Sequence, residues 1–243
     1  MAKQKSSPCL TFFNRLEHFN ADLELVDVID RNIRNRKLTT IGSDKLFDEL
    51  RPILHKTLSS RRNCDQNRKI AIRHLKSTLY TSYLKELFEE VITYIKEIMK
   101  IAAVSGLKAE QLVGESTKVQ FTVNELLNTK NHAEVIDIVI SKIFQDIEAE
   151  KDSKKLLTKI NNRLGLGIEE IIIEEVLPYF EIRHLLVHAD GKASESFKTK
   201  YTDFEIDEKG YIVINYQFIR NARDNMYKIV NALEEKAVEK GYI

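Results

Sequence analysis

From Leu10 to Asn35 apolar residues return every three or four positions (Leu16, Phe19, Leu23, Val26, Ile29, Ile33) with acids and bases between them, which predicts an amphipathic helix. Thr39 to Ser43 interrupts the pattern. Ser43-Asp44 is an N-cap signal for a second helix running to about Leu58, with Pro52 kinking or restarting it. The polar stretch Ser59 to Gln66 then marks a subdomain border. From Asn67 to Ser105 there is neither Gly nor Pro, and one apolar stripe runs from Ile70 and Leu79 through Leu87 and Ile95 to Ala102. It predicts the longest helix of the chain, closed by Gly106.

Residues 106–121 carry no clear period. Helical spacing resumes over Ala133 to Glu150 and again over Ser153 to Leu164, where Gly165 and Gly167 stop it. Glu169 to Leu177 is helical and meets Pro178, which either kinks that helix or opens the next one, Pro178 to Ala189, ended by Asp190-Gly191. Phe204 to Tyr216 (FEIDEKGYIVINY) alternates around Asp207 and Gly210 and predicts one small β-hairpin. A last helix spans about Phe218 to Glu239.

Composition agrees with this pattern. Only 8 Gly and 3 Pro occur in 243 residues, well under the roughly 12% of average usage. A chain so poor in breakers is mainly α, not a β-sandwich or a disordered linker. The expected organisation is a basic N-terminal helical extension, residues 1–66, followed by a helical domain, residues 67–243.

Net charge is +1, but it is unevenly spread. Between Arg31 and Arg73, 12 bases (among them Arg34, Arg36, Lys37, Arg61, Arg62, Arg68 and Lys69) face four acids. Such a stretch is either a solvated helical face or a surface for phosphates. Cys9 and Cys64 have neither zinc nor redox spacing. With no disulfide framework, no apolar leader and no run long enough to span a membrane, the expected setting is the reducing cytoplasm.

Most familiar chemistries lack their residues. Gly165-Leu166-Gly167 has no third glycine of a dinucleotide fingerprint, and GxxxxGK[ST], HExxH, CxxC and GxSxG do not occur. Glu169, Glu170, Glu174 and Glu175 read as a solvated acidic face rather than metal ligands. Neither a metal nor a cofactor is called for. What remains is Arg183-His184-Leu185-Leu186-Val187-His188, followed by Asp190-Gly191.

An arginine offers a permanent forked cation suited to phosphate, and a histidine moves protons near neutral pH. Together they can cleave RNA without metal: the imidazole deprotonates a ribose 2′-hydroxyl or protonates the leaving oxygen, while the guanidinium stabilises the charged phosphorane. Arg68 and His74, six positions apart, also match Arg-x(4–6)-His but lie inside a long amphipathic stretch and are set aside as a decoy. Positions i and i+5 of a helix lie about 140° apart. Arg183 and His188 therefore meet at one phosphate only if the helix ends near His188 or a second chain contributes. A histidine in the last turn is also favoured in its protonated form by the helix dipole, which suits a general acid.

EIRHLLVHADGKASESFKTKY, with Arg183, a polar residue straight after it, His188, the turn at Gly191 and an aromatic at Phe197 or Tyr201, resembles the HEPN superfamily (higher eukaryotes and prokaryotes nucleotide-binding). AIRHLKSTLYTSYLKELFEEV is similar to the first core helix of those domains, and the resemblance covers roughly residues 67–240. It implies a HEPN-like all-α bundle that forms a homodimer with a composite site. The implied activity is a metal-independent endoribonuclease acting on RNA in a toxin or antiviral defence system, restrained by an antitoxin or other regulatory partner. By match, Arg183 and His188 are the catalytic pair and His184, where the family more often has Asn, binds substrate. The alternative is a non-catalytic helical module that uses the same groove to bind RNA, a nucleotide or a protein.

Overall fold

A computed structural model describes residues 5–35, 51, 53–55, 65–113, 120–148 and 152–243. The fold is mainly α. The first helix, α1 (Ser7–Arg34), begins three residues before the apolar pattern does, because Ser6 caps it: its Oγ accepts from the Cys9 N–H at 3.3 Å, and Pro8 sits in the first turn where no N–H is needed. The helix expected over 43–58 lies almost wholly outside the described residues, as do Cys64 and the Ser59 to Gln66 border except Asp65 and Gln66.

The longest helix is α2 (Asp65–Val104), 40 residues and about 60 Å in length. It stops at Gly106, which takes φ +99°, and the Leu107 N–H closes back on the Ala102 carbonyl at 3.0 Å. Among its described residues, the segment expected to be irregular carries a turn-length helix, α3 (Ala109–Val113). Then follow α4 (Val123–Leu127), α5 (His132–Glu148), α6 (Ser153–Leu164), α7 (Glu170–His188), α8 (Glu195–Lys200) and α9 (Tyr216–Glu239). Where a β-hairpin was expected, the described residues hold no strand. They hold isolated antiparallel bridges, Ile206 with Ile212 and Lys192 with Tyr211, around a turn in which the Gly210 N–H donates to the Asp207 carbonyl.

α2 is the axis of the core. α1, α5, α7 and α9 pack on it, α7 also packs on α6 and α9, and Leu87, Val91, Ile95 and Ile98 along its middle are fully buried. Each such side chain contributes about 1.5–3 kcal/mol through burial. Helix α1, which belongs to the 1–66 segment set apart on composition, places Cys9, Phe12, Leu16 and Leu23 in this same core.

Two polar contacts fix α1. Buried Glu234 of α9 accepts from the Ser6 N–H, from Ser6 Oγ at 2.8 Å and from the Tyr94 hydroxyl of α2 at 2.9 Å, so one carboxylate joins three segments. Burial, with the Glu234 charge adding to it, pushes the Cys9 thiol up to about 11, which makes it inert. At the other end of α1, buried Asp27 and Asp30 hold Lys76 of α2 at 3.2 and 2.8 Å. Breaking such a buried cluster by removing one partner is costly, because the other charge stays behind unpaired.

Candidate functional site

Helix α7 carries all three candidate residues in its last two turns. Its Glu169 N-cap makes no side-chain hydrogen bond and Pro178 lies in its interior, so local signals alone argue against 19 continuous residues. Packing overrides them. Pro178 is buried and has no N–H to give the Glu174 carbonyl. Directly after that gap Phe180 meets Phe88 of α2 at 5.0 Å between ring centroids, and Tyr179 meets Phe218 of α9 at 5.8 Å, both edge-to-face. The two helical pieces expected on either side of Pro178 are one helix.

The acidic first half of α7 is ion-paired outward. Lys154 of α6 bonds Glu170 at 2.7 Å and Glu174 at 3.2 Å, and Lys228 of α9 bonds Glu175. The Lys154 ammonium holds the Glu170 carboxyl below its ordinary value.

The C-terminal end of α7 is built for a sharp stop. Ala189 caps it, and Asp190 and Gly191 both enter the left-handed region at φ +52° and +82°. The N–H groups of Ala189 and Gly191 both donate to the Leu185 carbonyl, at 2.9 and 3.0 Å. The exit segment is then held by the bridge region: the Ala193 N–H donates to the Gly210 carbonyl at 2.9 Å and the Ile212 N–H to the Gly191 carbonyl at 3.1 Å. A Cβ on Gly191 would stand 3.3 Å from Leu186 Cδ2 in a backbone conformation that L side chains rarely adopt. His188 is thus the last helical residue, on a rigid terminus.

The candidate side chains leave α7 in different directions. Arg183 turns toward α2, where its Nη2 lies 2.8 Å from Glu89 Oε1; the two side chains are 36% and 58% exposed. His184 and His188 are both exposed, one turn apart, with ring centroids 4.5 Å apart and planes inclined by 46°. The histidines share a face, whereas Arg183 engages Glu89 rather than His188, as the 140° between positions i and i+5 requires.

On the histidine face, Glu181, His184 and Leu185 line a cleft of about 390 Å³ closed on its other side by Ser194, Phe197 and Lys200. Glu181 Oε1 accepts from Lys200 Nζ at 2.7 Å and from the Tyr201 hydroxyl at 2.8 Å. Burial works against the Lys200 ammonium, but the Glu181 carboxylate outweighs it and holds its pKa above the ordinary value. Burial raises the Tyr201 hydroxyl as well, with Lys200 pulling the other way. Sequence reasoning missed Glu181 and Lys200 and gave Tyr201 only as one of two choices for a downstream aromatic, although Glu181, His184 and His188 at i, i+3 and i+7 form one helical stripe. Nothing in the sequence points to Glu89, which is 94 positions from Arg183.

The basic stretch is only partly described. Arg31 and Arg34 are tied to Asp27 and Asp30 of their own helix at 2.6 and 3.0 Å. His74 of the decoy pair is exposed on α2, while Arg36, Lys37, Arg61, Arg62 and the side chains of Arg68 and Lys69 lie outside the described residues.

No family model, no curated protein and no solved structure matches the chain. Among the described residues no helix is long and apolar enough to cross a membrane.

Proposed function

We propose that the protein is a HEPN-type, metal-independent endoribonuclease whose active centre is assembled from the α7 C-termini of two copies of the chain. The observation that carries this is the placement of a half-buried arginine and two exposed histidines on the last two turns of one helix, with Arg183 and His188 on different faces. In each half-site His188 transfers the proton of the 2′-hydroxyl or of the leaving oxygen, and the Arg183 guanidinium of the opposite copy stabilises the phosphorane. His184, beside His188 and on the wall of the Glu181 cleft, binds the adjoining part of the RNA. DNA lacks the internal nucleophile and is not a substrate. A toxin or antiviral role in the cytoplasm, under a restraining partner, fits an RNase of this kind.

The test is purified protein on RNA with and without EDTA. Cleavage persists in chelator, leaves 2′,3′-cyclic phosphate ends and disappears in His188→Ala and in Arg183→Ala. Strict metal dependence refutes the mechanism. Mixing the two dead variants checks the composite centre. In a two-fold dimer, half of randomly mixed pairs are heterodimers and each keeps one intact centre, so about one quarter of the activity returns. A centre confined to one chain recovers none.

The Arg183–Glu89 pair favours a second reading, in which the arginine clasps α7 to α2 and the helix end only binds. RNA that is bound but never cut, with binding lost in Arg183→Ala and kept in His188→Ala, selects it.

A further inference from the structure

We propose that His184 and His188 form a two-imidazole chelating site for a transition-metal ion of the zinc class, and that its occupancy withdraws His188 from proton transfer. The first half stands on geometry alone; the second rests on the ribonuclease reading above.

Two histidines four positions apart on a helix project from the same face one turn apart. Here both are exposed, and their rings already lie 4.5 Å apart. A tetrahedral zinc ion with bonds of about 2.0–2.1 Å needs its two nitrogens about 3.3 Å apart. Rings at this separation reach that by small side-chain rotations, without moving the helix. The helix is also the right scaffold, because the Leu185 carbonyl and the bridge region hold its end and keep the two Cα atoms in register.

Ligand type selects the ion. Imidazole nitrogens suit zinc, copper and nickel, whereas calcium and magnesium require oxygen donors. Two protein ligands leave the remaining positions to water, so the site captures and releases its ion rather than acting as a closed structural centre. Each coordinated imidazole gives up the lone pair that would take a proton, so an occupied site lacks its general base and acid. An enzyme that needs no metal is thereby one that zinc silences.

The experiment is competition for zinc between the full-length protein and a chromophoric chelator. It is run on wild type, on His184→Ala, on His188→Ala and on His74→Ala as a control for an exposed histidine elsewhere, with helicity checked by circular dichroism. The expected result is one zinc per chain in wild type and in His74→Ala, and a loss of affinity of at least about 10-fold in each of the other two. Stoichiometric binding that survives His184→Ala, or none beyond what that variant retains, overturns the site. In parallel, RNA cleavage by wild type falls on zinc addition and returns with EDTA. Zinc binding to the pair with cleavage unaffected overturns the second half. Zinc binding with no cleavage under any condition upholds the site and removes the ribonuclease reading instead.

Discussion

Replacing Glu89 by Gln removes the charge opposite Arg183 and keeps the shape. The structure bounds the effect. At 2.8 Å the bare pair gains about 1.5 kcal/mol in water. With one side chain about a third and the other more than half exposed, ordering and screening reduce the pair to about 0.2–1 kcal/mol. Glu89→Gln therefore lowers stability by at most about 1 kcal/mol, or about 2–4 °C in Tm for a domain of this size. On the proposed ribonuclease reading, the same interaction competes with a substrate phosphate for the Arg183 guanidinium. Releasing it lowers the barrier by a similar amount, so kcat/KM on a short RNA rises about 2- to 5-fold. The assay is initial rates on a fluorogenic RNA below saturation, beside a thermal melt, in about 50 and 500 mM KCl, where the gain over wild type shrinks at the higher salt as the pair is screened. A fall in kcat/KM of ten-fold or more with an unchanged melt refutes the competition. It means that Glu89 orients Arg183 for the reaction.

Three further outcomes follow from the packing. The Tyr83 hydroxyl is buried with no hydrogen-bond partner among the described residues, so Tyr83→Phe is neutral or stabilising by up to about 1 kcal/mol in urea melts; a loss larger than that shows a bond to the hydroxyl. Gly191→Ala, at φ +82° and against Leu186, costs about 1–2 kcal/mol in the same melts, and an unchanged midpoint means that the turn relaxes freely. Burial alone would raise the Asp30 carboxyl, but Arg34 and Lys76 more than offset it and hold the pKa below its ordinary value. A carboxylate depressed on folding stabilises fully above its unfolded pKa of about 4 and loses that contribution as pH falls through the folded value. Below about pH 4 Asp30→Asn therefore loses less stability than wild type on further acidification, and parallel acid curves refute the assignment.

The helices were legible where apolar period and end signals agree. Ser153 to Leu164 matches α6 at both ends, because Asp152 caps one and Gly165 in the left-handed region closes the other. Pro178 was ambiguous because a proline in a helical pattern is a local cost, and only the rings of Phe88 and Phe218, far away in sequence, offset it. The hairpin pattern around Asp207 was legible as a turn but not as a sheet. Alternation sets which face is buried, whereas a strand also needs a run of paired backbone, and here the chain pairs only at single bridges. Ser6 and Glu234 lie 228 positions apart, so the contact that seats α1 on the core left no trace in the local pattern from which the Ser59 to Gln66 border was drawn.

The site divides in the same way. Residue type and spacing named Arg183, His184 and His188, because the chemistry of a forked cation and an imidazole is intrinsic to each side chain. Partners are not intrinsic. Glu89 is one glutamate among several on α2, and what distinguishes it is a crossing of two helices that Phe88 and Phe180 fix. That crossing pairs Arg183 with Glu89 of α2, and the helix period sets its direction about 140° from that of His188. On the ribonuclease reading, a chain that uses both on one phosphate either reaches round the helix end at His188 or borrows one of them from a second copy. In the first case the Arg183–Glu89 pair must break first; in the second, proposed, case dimerisation is part of the chemistry.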